Sequence, residues 1–404
     1  MNLSVLIVLC ITFSDSPDSL VRGIYINPYQ AANKDYLERI FIKADSGLIN
    51  TIVVDFKSDY GFLSYASDIK LAREIDAIKR YIDVDYLIEN AQSHNLKLVA
   101  RIVCFRDNYL AFHKNYGIRD DSGKVWRDNK GLAWTNPYNK KVREYLLEVA
   151  KDVVECGIQS IAFDYIRFPT DGDVGRIRLT HVKGPRHSPI TTFLKMVKDE
   201  MGDEVEIGAC VFGFSVWHRM QAEGQDIEKM GEYIDVLYPM LYPSHFGWSF
   251  KRGETDYWRN YWIYFDSVRE AKQKLSSSVK IMPFVQGFDL LAERFDCDYV
   301  FAQIHGALSA GTDGFLIWHA GGDYSISWRA LSWARNSILR RSVQSYLNNR
   351  MREEGRRYRG RALEQLLIQE KARERNPTIH RTRTLIDSLP LLKNPKIFLH
   401  PMLP

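Results

Sequence analysis

Apolar runs of strand length punctuate the chain as far as residue 322, and most close on polar or aromatic side chains. Eight can be read: VRGIYINPY (21–29), TIVVDFKSD (51–59), KLVARIVCF (97–105), SIAFDYIRF (160–168), VEIGACVFGF (205–214), IDVLYPMLYP (234–243), KIMPFVQGF (280–288) and GFLIWHAGG (314–322). Helical spacing fills the intervals. In VREYLLEVAKDVVECG (142–157) the apolar positions are 145, 146, 149, 150, 153 and 154, and Gly157 is the expected stop. In SPITTFLKMVKDEMG (188–202) Ser188 is the expected N-cap, Pro189 suits the first turn and Gly202 ends the helix. Eight strands alternating with helices predict an α/β fold, a (β/α)8 barrel. A doubly wound sheet is the alternative. Against it, GIYINPYQ lacks the G-x-G-x-x-G spacing of a phosphate-binding turn.

The pattern changes near residue 335. RNSILRRSVQSYLNNRMREEGRRYRGRALEQLLIQEKARERN is charged and helical in character, and LPLLKNPKIFLHPMLP beyond it is broken by proline. The expected division is a leader over 1–19, a barrel over 20–334 and a basic helical extension over 335–404. Charge follows the same division. From Arg335 onward there are 16 Lys and Arg against 6 Asp and Glu, so the overall charge of +5 conceals a mildly acidic body. No nucleic-acid partner is expected for that body. Only the extension offers weak contact with a membrane or another anionic surface, and a solvated helix without function is the simpler account of it.

The N-terminal MNLSVLIVLCITFSDSPDS holds an apolar stretch from Leu3 to Phe13. Its length suits the core of a signal peptide and is too short to span a bilayer comfortably. Secretion or placement in the cell envelope is therefore expected, with a cytoplasmic protein that buries this segment as the alternative. The five cysteines (Cys10, Cys104, Cys156, Cys210 and Cys297) show no metal-site spacing and no disulfide framework. No metal or other cofactor is expected.

Barrel active sites lie at the C-terminal ends of the strands. The polar residues there are Asp55, Lys57 and Asp59 after strand 2, Arg101, Arg106 and Asp107 after strand 3, and Asp164, Tyr165 and Arg167 after strand 4. Tyr242 and His245 follow strand 6, Gln286 and Asp289 strand 7, and Trp318 and His319 strand 8. The loop VWRDNKGLAWTNPYN (125–139) adds Trp126, Arg127, Asp128 and Trp134. Carboxylates, arginines and aromatics at one mouth suit carbohydrate chemistry. Aromatic rings stack on the CH faces of sugars, and glycosidic cleavage takes two carboxyl groups. Structural readings stand beside these. Asp164 with Arg167, and Asp55 with Lys57, can be local ion pairs. Arg101, inside an apolar strand, needs a carboxylate such as Asp55 or Asp164. Trp126 and Trp134 can be loop core, and the two histidines can be hydrogen-bonded structural groups.

The segments VRGIYI, VVDFKSDYG, ARIVCFRD, VWRDNKGLAWTNPYN, FDYIRFPTDG, YPMLYPSHF and GFLIWHA, in this order between Val21 and Tyr324, resemble a family of TIM-barrel glycoside hydrolases known chiefly from bacterial proteins. The resemblance implies glycosidase-like chemistry, with Asp164 of FDYIRFP as the leading catalytic candidate. Two positions depart from the family pattern: Cys210 in ACVFG and Gly287 in FVQGF each stand where the family carries Asp.

The expectation is a glycoside hydrolase acting on an extracellular or cell-envelope polysaccharide. Asp164 would act with a second carboxyl from Asp55, Asp59 or Asp289. Arg101, Arg127 and Arg167 would orient carboxylates or bind acidic sugars. Tyr242, His245, Trp126 and Trp318 would hold the glycan. The alternative is a glycan-binding barrel without catalysis, motivated by Cys210 and Gly287. A different barrel enzyme, such as a lyase or deacetylase, is a third reading.

Overall fold

The computed structural model describes residues 20–247, 249–250 and 256–335. The expected leader and nearly all of the expected basic extension lie outside them. The eight apolar runs form eight parallel strands: β1 (Val21–Ile26), β2 (Thr51–Lys57), β3 (Lys97–Val103), β4 (Ser160–Asp164), β5 (Glu206–Phe212), β6 (Val236–Met240), β7 (Phe284–Gln286, preceded by the short Lys280–Ile281) and β8 (Gly314–Trp318). Each pairs with its neighbours in chain order. β8 pairs with β1, and the pairing of Phe284 with Met240 joins β7 to β6, so the sheet closes into a (β/α)8 barrel.

Most strands end earlier than the apolar runs do. β1 stops at Ile26 because Asn27 and Pro28 start a helical turn, Pro28–Ala31, in which Asn27 and Gln30 cap one another. The longer helices are α1 (Lys34–Asp45), α2 (Val84–Ser93), α3 (Lys140–Glu155), α4 (His187–Met201), α5 (Asp256–Lys274) and α6 (Cys297–Ser309). Asn33, Asp83, Asn139 and Asp296 each accept a backbone N–H at a helix start, holding α1, α2, α3 and α6 to their entry points. α3 buries Val142, Tyr145, Leu146, Val149, Ala150 and Val153, close to the stripe its spacing predicts. α4 begins at His187, so Ser188 lies inside the first turn and is not the cap.

Alternation along the strands sorts side chains into two layers. Val53, Val99, Ala162, Cys210, Tyr238, Phe284 and Leu316 point into the barrel and fill it. Gly208 makes room there: a Cβ on it would stand 2.2 Å from the Tyr238 ring. Phe163, one residue from inward Ala162, packs edge-on against Phe193 of α4. Full burial of a side chain of this size contributes about 2–3 kcal/mol.

One irregularity redirects charge. The register pairs Asp55 with Arg101 and then Lys57 with Ile102, so β2 carries one extra residue at its end. Without this bulge Asp55 and Lys57 would share a face, as a local ion pair requires. With it, Lys57 sides with outward Ile102, donates to the Val103 carbonyl and pairs with Asp107 at 2.7 Å, both side chains fully buried. Lys57→Met therefore strands Asp107 and is expected to cost about 3–5 kcal/mol in urea denaturation. Adding Asp107→Asn should recover part of that loss.

Candidate active site

The inward alternation of β2, β3 and β4 brings Asp55, Arg101 and Asp164 together above the aliphatic filling. Arg101 is about 1% exposed. Its Nη1 donates to Asp55 Oδ1 at 2.6 Å, its Nη2 to Asp59 Oδ1 at 2.7 Å, and its Nε to Asp164 Oδ2 at 2.8 Å. Nη2 also lies 2.7 Å from Asp164 Oδ2. The sequence called for one carboxylate partner, and the structure supplies three. The second oxygens of two of these carboxylates are held as well. Tyr25 Oη donates to Asp55 Oδ2 at 2.7 Å, and the Tyr165 N–H donates to Asp164 Oδ1 at 2.6 Å. Tyr165 adopts φ +47°, a left-handed conformation rare for a bulky residue.

One guanidinium cannot balance three carboxylates. Arg106 helps little: it donates to Asp128 at 3.1 Å and to the Tyr165 hydroxyl at 2.8 Å, and lies 3.7 Å from Asp59. Burial, with Asp59 beside it, raises the pKa of Asp55 from 3.8 to about 6 despite Arg101. Asp59 is the most open of the three, and Arg101 holds its carboxyl below the ordinary range even though burial acts the other way. Burial and Asp55 push the Tyr25 hydroxyl well up, so it remains a donor.

Trp318 roofs the cluster. Its ring stacks on Tyr25 at 3.7 Å between centroids, and the Arg101 guanidinium lies 4.9 Å from the Trp318 ring centre. Trp318 is half-buried at the mouth. Tyr242 is buried beside the core cluster with its ring edge-on to Phe288 and to His245, which is exposed. Asp164 and burial raise the Tyr242 hydroxyl.

Other sequence candidates lie elsewhere. Asp289 is exposed in the loop after β7 and is not among the partners of Arg101. Trp126 is loop core: it is buried, and its Nε1 donates to the Asp173 carbonyl. Trp134 is buried too, and its Nε1 donates to Asp128. Arg127 is an exposed side chain that donates to the Gly131 carbonyl and lies over Phe112. Arg167 does not pair with Asp164. It donates to the Phe168 carbonyl and the Thr170 hydroxyl.

The two substituted positions differ in meaning. Cys210 points inward, fully buried, and Asp164 and burial both raise its thiol. A carboxylate there would face Asp164. A Cβ on Gly287 would instead meet Ile317 Cγ2 at 2.5 Å, the Trp318 carbonyl and Ser327, away from Arg101. Gly287 therefore leaves no gap in this cluster.

Sequence reasoning missed Tyr25, although its alternation with Gly23 places it on the inner face of β1. It also missed an aromatic cleft of about 360 Å³, lined in part by Tyr29, Tyr60, Phe62, Tyr81 and Tyr109. Those residues come from several stretches far apart in the chain and carry no shared sequence signal.

Residues 23–324 match the model of a family described as "Putative glycosyl hydrolase domain". A hypothetical protein from Ruminiclostridium thermocellum is 33% identical; the match covers 45% of this chain and 94% of that one, with a TM-score of 0.43. The PgaB (BpsB) glycoside hydrolase domain from Bordetella bronchiseptica is 9% identical, with 77% of this chain and 98% of that one covered and a TM-score of 0.55. At that identity the likeness is one of fold. The spore cortex-lytic enzyme SleL from Bacillus cereus is 12% identical over 78% of this chain and 74% of its own, at a TM-score of 0.44. No curated protein sequence matches the chain.

Proposed function

The chain belongs to the family of glycosyl hydrolase domains that residues 23–324 match, and from that premise we propose that it hydrolyses O-glycosidic bonds of an extracellular or cell-envelope polysaccharide by two-carboxyl chemistry. The observation that carries the reading is the grip of Arg101 on Asp55, Asp59 and Asp164 at the mouth of the barrel, beneath the half-buried ring of Trp318.

The roles follow from the unequal environments. Asp55 keeps a proton up to about pH 6 and is the acid that protonates the leaving oxygen. Asp164, oriented by Arg101 and by the Tyr165 N–H, is the nucleophile or the base that activates water. Asp59, open to solvent and held ionised, supports positive charge as it develops at the sugar ring. Trp318, half-buried above the cluster, is the ring placed to contact a sugar.

The test is release of reducing ends from a panel of bacterial and plant polysaccharides across pH 4–9. With Asp55 as the acid, kcat/KM falls about tenfold per pH unit above roughly pH 6. A flat profile between pH 5 and 8 removes Asp55 from that role. Inward Cys210 favours a second reading, a barrel that binds glycan without cleaving it. Glycan binding with no reducing ends released at any pH decides for it.

A further inference from the structure

Arg167 is a buried cation that, among the described residues, no carboxylate pairs with. It is 9% exposed, and its guanidinium sits among three rings: Phe212 at 4.3 Å, Trp134 at 4.9 Å and Tyr165 at 5.1 Å. Nη1 is used, donating to the Phe168 carbonyl at 2.9 Å and to Thr170 Oγ1 at 3.2 Å. Among the described residues no acceptor takes the Nε–H or the Nη2 hydrogens, and neither nitrogen is sealed from solvent. Asp164, Glu223 and Asp171 act on it at longer range, but none forms an ion pair with it. Arg101 and Arg106, the neighbouring buried arginines at this mouth, both hold carboxylates. The three aromatic faces offset part of the desolvation. Among the described residues no acceptor takes the in-plane edge.

That edge is one N–H from Nε and one from Nη2, side by side and parallel. It is the geometry that takes both oxygens of a carboxylate at once. It lies three residues past Asp164, whose charge acts on Arg167, and against Phe212 at the end of β5, on the same side of the barrel as the Arg101 cluster.

We propose that Arg167 is a specificity site for the carboxylate of a uronic-acid residue, and that the glycan this barrel takes is acidic. The proposal rests on the carbohydrate reading above. Arg106 completes the site indirectly. By donating to the Tyr165 hydroxyl at 2.8 Å it fixes the ring that flanks Arg167.

The experiment titrates the full chain with tetramers of galacturonate, glucuronate and mannuronate, each as the free acid and as its methyl ester. At least one acid should bind tenfold or more tighter than its own ester. In Arg167→Met, which keeps the apolar packing and removes the fork, that advantage should shrink below twofold with ester binding unchanged. Arg167→Lys, which keeps the charge without the fork, should retain only part of it and serves if the Met variant does not fold. Equal binding of every acid and its ester, no binding of any acid, or an advantage that survives Arg167→Met overturns the proposal. Preference for an O-sulfated neutral tetramer over all the acids also overturns it. Acid-selective, Arg167-dependent binding with no bond cleaved leaves the acidic-glycan site standing and removes the hydrolase reading. Cleavage of acids and esters at equal rates does the reverse.

Discussion

Asp164→Asn lowers kcat/KM by about 100-fold or more, about 2.7 kcal/mol of transition-state stabilisation, with glycan affinity largely retained. The substitution keeps the shape of the side chain and an oxygen for the Tyr165 N–H, which now donates to Asp164 Oδ1 at 2.6 Å. It removes the charge that faces Arg101 Nε and Nη2. Asp55 and Asp59 still hold that guanidinium, so the fold should survive. The loss is therefore chemical. Initial rates on the best substrate of the panel, set beside binding of the same substrate, make the check. A variant within threefold of the wild-type rate takes Asp164 out of the reaction.

Arg101→Met has a different signature. It leaves three carboxylates facing one another, two of them almost fully buried, and should cost about 3–5 kcal/mol at neutral pH. The cost depends on pH in a definite direction. Burial already lifts Asp55 from 3.8 to about 6, so the folded state binds that proton more tightly than the unfolded one. The Asp55 contribution to stability therefore falls as pH rises between those values. Without the guanidinium, which now opposes the shift, Asp55 is lifted further and Asp59 loses what holds it low. The variant's deficit should thus be larger at pH 7.5 than at pH 5. Urea denaturation at the two pH values measures it, and an equal deficit at both would show that Arg101 stabilises by packing and not by charge.

The barrel was legible because its signal is repeated. Eight apolar runs at regular intervals need no single residue to be read correctly, and an overrun such as Asn27–Pro28 leaves the topology intact. Asp164 and Arg101 were legible for a related reason: a charge inside or at the end of an apolar strand has few places to go. Partner choice was not. The i, i+2 rule put Asp55 with Lys57, and a one-residue bulge sent them to opposite faces. Proximity in sequence suggested Asp164 with Arg167, but Asp164 found Arg101 across the sheet, while Arg167 turned into a box of rings. The weight of the two positions where the resemblance implies Asp was also hidden. Cys210 and Gly287 look alike as substitutions, yet one side chain faces the barrel axis and the other position backs onto Ile317.

The extra residue in β2 has a consequence for how this protein responds to acid. It divides the charges at the top of the barrel into two circuits. One faces the axis and runs through Arg101. The other runs from Lys57 to Asp107 and is sealed from solvent, and among the described residues no ion pair links the two. A proton taken up by Asp55 at the mouth changes the charge of the first circuit, and no ion pair among the described residues carries that change to the second. A change of charge in the site need not loosen the wall that carries it.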